Sequence, residues 1–87
     1  MAWRIVIQPN GKYARFSDVV DNFTDYDMTR EEAWELCRDA AGIDTANSKL
    51  GSAEMHPERF EQEIETIREI HGDAEADSVR AELSSKP

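Results

Sequence analysis

The sequence predicts an α+β domain, with an N-terminal β-hairpin packed on two or three α-helices. Three observations carry this. Trp3 to Ile7 is a run of β-branched and aromatic residues, the composition that favours a strand, and turn chemistry follows it directly. Residues 30–41 and 57–71 each repeat apolar residues at helical spacing. Both of these segments end on a glycine, Gly42 and Gly72. Eighty-seven residues suit one small domain. The expected division is a domain over residues 1–72 and an acidic tail over 73–87, weakly ordered or helical.

The turn after the first strand is Gln8-Pro9-Asn10-Gly11-Lys12. Proline fixes φ near −65°, which excludes a type I′ turn and favours a type I turn with Gly11 in the left-handed bulge position. That register sets Gln8 opposite Lys12, Ile7 opposite Tyr13 and Ile5 opposite Arg15, with a return strand from Lys12 to Phe16. Trp3, Ile5, Ile7 and Tyr13 then share one face of the hairpin, and Val6, Ala14 and Phe16 the other. Ser17 to Phe23 is expected to form a short helical turn with Val19, Val20 and Phe23 facing inward. Asp25-Tyr26-Asp27 reads as a linker.

The best-marked helix covers about residues 30–41. Thr29 and Glu32 have the spacing of a reciprocal capping box, and Glu31 and Glu32 sit at the positive end of the helix dipole. The weakly patterned stretch Ile43 to His56 reads as a loop with one helical turn around Ala46–Leu50. A second helix at about 57–71 starts on Pro57 and presents Phe60, Ile64 and Ile67 at helical spacing. Beyond Gly72, Ala76, Val79 and Leu83 keep that spacing with little bulk. The expected core is Trp3, Ile5, Val6, Ile7, Phe16, Val20, Phe23, Trp34, Leu36, Cys37, Phe60, Ile64 and Ile67.

A single cysteine forbids an intramolecular disulfide and points to a reducing compartment. The apolar run at the N-terminus is short and interrupted by Arg4, so neither a signal peptide nor a membrane span is expected, and the chain reads as soluble and cytoplasmic. The motifs of phosphate-binding loops, dinucleotide folds, zinc proteases, redox dithiols and serine hydrolases do not occur. Asp25-x-Asp27-x-Thr29 opens like a calcium loop, but Arg30 stands where glycine is needed and Leu36 where the bidentate glutamate is needed. His56 and His71 would lie roughly 22 Å apart on a straight helix, too far to share a metal. The sequence therefore predicts no enzyme, no cofactor and no metal.

Net charge is −9 and unevenly placed. Residues 17–36 carry seven acids against Arg30, and residues 54–77 carry nine against Arg59 and Arg68. This disfavours direct nucleic-acid binding, which rests on clustered Lys and Arg, and is compatible with a basic protein partner. Carboxylates on successive helical turns recur at about the spacing of phosphates along a duplex strand, ~6 Å. Asp18, Asp21, Asp25, Asp27, Glu31 and Glu35 form one such row, and Glu54, Glu58, Glu61, Glu65 and Glu69 a second, on elements expected to pack together. Tyr26, with Phe23 and Met28, interleaves the first row and supplies apolar anchors. The candidate partner-binding set is thus Asp21, Asp25, Tyr26, Asp27, Glu31, Glu35, Glu58, Glu61, Glu65 and Glu69.

The pattern W-x-I-V-I-x-P-N-G-K-x-A-x-F-S-x-V-V-D-N-F-T, followed by D-M-T-x-x-E-A-x-x-L-C, resembles small uncharacterised proteins of phages and bacterial mobile elements over about residues 3–40. The resemblance implies a phage setting, in which small acidic proteins often inhibit host defence, including CRISPR and restriction systems, sometimes by imitating DNA. The expected function is a non-enzymatic inhibitor of such a complex, for example through a CRISPR effector subunit. The alternative is a phage accessory or regulatory protein whose acidity serves solubility. Either would be a monomer or a small homo-oligomer.

Overall fold

The structure, a computed structural model, describes residues 3–85. Among them are three strands and four helices in the order β1 (Trp3–Ile7), β2 (Tyr13–Ser17), β3 (Asn22–Met28), α1 (Arg30–Ala41), α2 (Ile43–Met55), α3 (Arg59–His71) and α4 (Asp73–Ser84). The class is α+β, as the composition of the segments predicts. The strands form one antiparallel sheet in the order β1-β2-β3.

The first hairpin has the predicted register, with Ile7 opposite Tyr13 and Ile5 opposite Arg15. Gly11 has φ of 85°, and its N–H donates to the Gln8 carbonyl at 2.9 Å while the Gln8 N–H donates to the Lys12 carbonyl at 2.8 Å. Because side chains alternate along a strand, the hairpin buries both of its faces. Ile5 and Tyr13 pack with Ala33 and Cys37 of α1 and Ala46, Leu50 and Ala53 of α2, with Trp3, Ile7, Met28 and Trp34 at the edge of that cluster. Val6, Ala14 and Phe16 pack on the other side with Phe60, Ile64 and Ile67 of α3 and Ala76, Val79 and Leu83 of α4. The domain is therefore three layers: the α1–α2 hairpin, the sheet, and the α3–α4 hairpin.

Each helical hairpin turns on one glycine. Gly42 has φ 95° and ψ 170°, and Gly72 has φ 96° and ψ 169°, a region open only to glycine. Each donates its N–H back to the preceding helix, to Arg38 or Arg68, and accepts from the following one, at Ala46 or Ala76. At the start of α1 the capping box is formed, with the Glu32 N–H donating to Thr29 Oγ1 at 3.1 Å and the Thr29 N–H donating to Glu32 Oε1 at 2.9 Å.

Several expectations are corrected. Ser17 to Phe23 is not a helical turn: Asp18–Asp21 is a hairpin turn, and Val19 and Val20 point outward, 78% and 51% exposed. Asp25-Tyr26-Asp27 is not a linker but lies within β3. Between Asn22 and Met28 that strand takes six steps where β2 takes four from Ser17 back to Tyr13, so it carries two bulges. Phe23 accordingly faces the α3 side, stacked on Phe60 with ring centroids 5.9 Å apart, while Met28 faces the α1 side. Ile43–Met55 is a full helix rather than a loop, built on the stripe Ala46, Leu50 and Ala53. Residues 73–84 take the helical alternative of the expected tail, as α4, but Ala76, Val79 and Leu83, absent from the expected core, are buried in it. Met1, Ala2, Lys86 and Pro87 lie outside the described residues.

Candidate functional site

The expectation that the two acidic rows sit on neighbouring packed elements is met only at Glu54, on α2 beside α1 and bonded to Arg30. α1 covers one face of the sheet and α3 the other, so Glu61, Glu65 and Glu69 of α3 are separated from Glu31 and Glu35 of α1. The reason is the alternation of the hairpin, which offers a separate apolar face to each helical pair.

Within the first row, Asp18 is held by Arg4, whose Nη2 lies 2.9 Å from Oδ1, and this holds the Asp18 carboxyl below the usual range. Asp25 pairs with Arg15 at 2.8 Å and accepts from the Thr24 hydroxyl at 3.0 Å. The Tyr26 hydroxyl donates to Glu82 of α4 at 3.0 Å, and that carboxylate raises the phenol's pKa. Asp27 sits in the second bulge with φ 56°, a left-handed conformation that aspartate tolerates. Its carboxylate accepts from Gln8 Nε2 at 2.8 Å, and its N–H donates to Gln8 Oε1 at 2.6 Å. Gln8 is 2% exposed and also donates to the Leu83 carbonyl at 2.9 Å, so this side chain joins β1, β3 and α4. Asp25 and Asp27 are thus engaged in holding the edge strand.

Within the second row, Glu54 accepts from Arg30 at 3.0 Å and from the Tyr13 hydroxyl at 2.7 Å, and both bonds, that of Arg30 first, lower its pKa. Glu58 lies 3.2 Å from His56, Glu61 accepts from Arg80 at 2.6 Å, and Glu65 pairs with Arg68 at 3.6 Å. Arg68 also binds Asp73 and Asp77 across the α3–α4 turn. Glu63, which the spacing sets off this row, is 5% exposed and accepts from Arg4 Nε at 2.9 Å. The same guanidinium lies over the Phe16 ring, 5.3 Å from its centroid.

Four of the ten candidate residues have neither an ion-pair nor a side-chain hydrogen-bond partner among the described residues: Asp21, Glu31, Glu35 and Glu69. Glu31 and Glu35 are exposed one turn apart on α1. With Arg30 and Trp34 they line a shallow depression of about 330 Å³. Trp34 is half-buried, fixed by its Nε1–H donating to Asn47 at 2.9 Å and by Arg38 stacked over its ring at 5.3 Å. The sequence placed Trp34 in the core, and it is a wall of this patch as well. A second depression is lined by Asp44, Thr45, Ser48 and Lys49 of α2. Each is bounded by one helix, so neither brings together groups from separate elements as an active-site cleft does. Among the described residues no three His, Cys, Asp or Glu side chains converge as metal ligands, and no helix is long and apolar enough to cross a membrane.

No protein-family model, curated protein or solved structure matches the chain.

Proposed function

We propose that the protein is a non-catalytic inhibitor that docks the α1 patch into a basic, nucleic-acid-binding groove of a host-defence protein. The observation that carries this reading is the pair Glu31 and Glu35, exposed and unpartnered beside the firmly held ring of Trp34. A rigid aromatic anchor with adjacent unneutralised charge is the combination that an interface onto a cationic groove requires. The phage resemblance supplies the setting: the cytoplasm of a bacterial host, with a CRISPR or restriction complex as the partner class. The competing reading, an accessory protein whose acidity serves solubility, draws support from the six other candidate residues, which are engaged within the fold.

The test begins with plaque assays on hosts with and without CRISPR or restriction immunity, and with affinity capture of the partner complex. Affinity is then measured for the wild type and for Glu31→Gln/Glu35→Lys at low and high ionic strength. The expected result is a loss of affinity with an unchanged melt, together with competition by duplex DNA and weakening by salt. Equal affinity of the two proteins, with DNA unable to compete, would remove the reading in favour of the accessory role.

A further inference from the structure

The other two unpartnered carboxylates of the candidate set, Asp21 and Glu69, lie away from the first turns of α1, in the β2–β3 turn and the last turn of α3. The β2–β3 turn there carries Val19 and Val20 at its tip, 78% and 51% exposed. Hairpin turns favour Gly, Asn, Asp and Pro, and a pair of β-branched apolar residues contributes nothing to turn geometry. The backbone demand of the turn is met by Asp21, with φ of 50°, and by Ser17, whose Oγ accepts from the Val19 N–H at 3.2 Å. The valines are therefore free of any structural duty in the turn.

The last turn of α3 abuts this tip. His71 Nε2 lies 3.3 Å from the Val20 carbonyl oxygen, to which its N–H form donates. Ile70 stands one turn beyond Ile67 in α3 but, unlike Phe60, Ile64 and Ile67, is 53% exposed. Val19 and Val20 on the turn and Ile70 in the last turn of α3 are thus exposed apolar side chains on the two segments that the His71–Val20 contact joins, an apolar cap on this end of the domain. Asp21 and Glu69 are the chain neighbours of Val20 and Ile70 and have no internal cation. Arg4 is already committed to Asp18 and Glu63, and Arg68 to Asp73 and Asp77, while the His71 ring is turned to the Val20 carbonyl.

We propose that this cap is a second docking point, for a protein segment that presents an aliphatic or aromatic side chain flanked by lysine or arginine. Charge complementarity selects that occupant. A second copy of the chain would set Asp21 and Glu69 against their own kind on a molecule of net charge −9, and nucleic acid or an anionic lipid surface would be repelled by the same groups. The inference is independent of the α1 patch, which lies by the opposite end of the sheet.

The test is an amide NMR titration of the full-length chain with a short peptide of alternating lysine and leucine. Peptides in which serine replaces the leucines or the lysines run alongside, and Val19→Ser/Val20→Ser is the variant. The lysine–leucine peptide should shift the Val19, Val20, Asp21, Ile70 and His71 amides, weaken with salt, and bind the variant at least about tenfold less tightly, as loss of buried apolar side chains requires. The melt of the variant should match the wild type, because both valines are exposed. Shifts scattered over the acidic surface with equal affinity for both proteins would overturn the proposal, as would equal binding of the lysine–serine peptide. A concentration-dependent sedimentation that the variant abolishes would overturn it in favour of self-association.

Discussion

Replacing Gln8 by leucine should cost far more than its place beside a surface turn suggests. The side chain is 2% exposed, and its amide both accepts from the Asp27 N–H at 2.6 Å and donates to the Asp27 carboxylate at 2.8 Å and the Leu83 carbonyl at 2.9 Å. Leucine keeps the volume and removes every bond. The Asp27 N–H and the Leu83 carbonyl then lose their partners, at ~1–3 kcal/mol for each group left buried and unsatisfied. Water reaching exposed Asp27 and the added apolar burial offset part of this, leaving an expected loss of about 2–4 kcal/mol. Urea unfolding followed both by tryptophan fluorescence and by far-ultraviolet circular dichroism measures it. Coincidence of the two probes justifies the two-state treatment. Amide exchange at Asp27 should accelerate in parallel. A loss below ~0.5 kcal/mol, the range of an ordinary surface change, would refute the account of Gln8 as the link between β1, β3 and α4. Gln8→Glu adds an internal control: a carboxylate facing Asp27 and the Leu83 carbonyl should be worse than leucine at neutral pH and recover as pH falls and it is protonated.

Arg4→Ala should destabilise by ~3 kcal/mol, because it leaves the Glu63 carboxylate buried without its counter-charge, whereas Asp18→Asn should change the melt little, since Asp18 is exposed. Equal losses from the two variants would show that the buried pair is not the stronger one. Gly72→Ala should cost ~1–2 kcal/mol in a urea midpoint measurement, with Gly42→Ala close to it, since an added Cβ meets no atom within 4 Å and the whole penalty is the backbone at φ near 95°. A stabilising effect would mean the helix corner is not held at that angle. Glu32 is held below the usual carboxylate range by the Thr29 backbone N–H, and Glu54 by the Arg30 guanidinium and then the Tyr13 hydroxyl. In both cases the folded value lies under the unfolded one, so their contribution is present above the usual carboxylate range and is lost as pH falls through the folded values. The gap in Tm between the wild type and Glu32→Gln/Glu54→Gln should therefore be widest near neutrality and close in acid, and a constant gap would count against it.

The first hairpin and α1 were legible because several local signals agreed. Pro9 and Gly11 fix the turn, and Thr29 with Glu32 fixes the cap, whatever the rest of the chain does. β3 was not legible for the opposite reason. Two bulges break the two-residue alternation that identifies a strand, and Asn22, Asp25 and Asp27 are poor strand formers tolerated on an exposed edge. Those bulges, with a carboxylate at each, also blunt the edge against pairing with another chain. α2 was hidden by small size. Its inward residues are Ala46, Leu50 and Ala53, and alanine is what lets a helix lie close on the sheet while registering weakly as apolar. Their i, i+4, i+7 spacing was the signal present in the sequence. Val20 was misplaced because an apolar pair after a strand reads as core, and only the third strand shows that the chain must reverse there.

For the acidic rows, composition showed how many carboxylates there are but not which of them are already answered. Spacing on a helix places Glu58, Glu61, Glu65 and Glu69 on one line, yet Arg80 reaches Glu61 from α4, and Arg68 serves Glu65 together with Asp73 and Asp77. These partners are brought in by the Gly72 corner, which no helical wheel of α3 contains. Asp25 and Asp27, first choices for a binding surface by their density, are consumed by Arg15 and Gln8 once β3 enters the sheet. An ion pair inside the fold and a salt bridge to a partner compete for the same carboxylate, so a residue held internally has less to gain from binding and more to lose on mutation. Among the candidate residues, the surface open to a basic partner is therefore set by the carboxylates left over after folding, Glu31 and Glu35 beside Trp34, and Asp21 and Glu69 near Val20 and Ile70. Reversing Asp25 and Asp27 would confound a lost partner with a loosened edge strand, whereas changes at Glu31 and Glu35 separate the two.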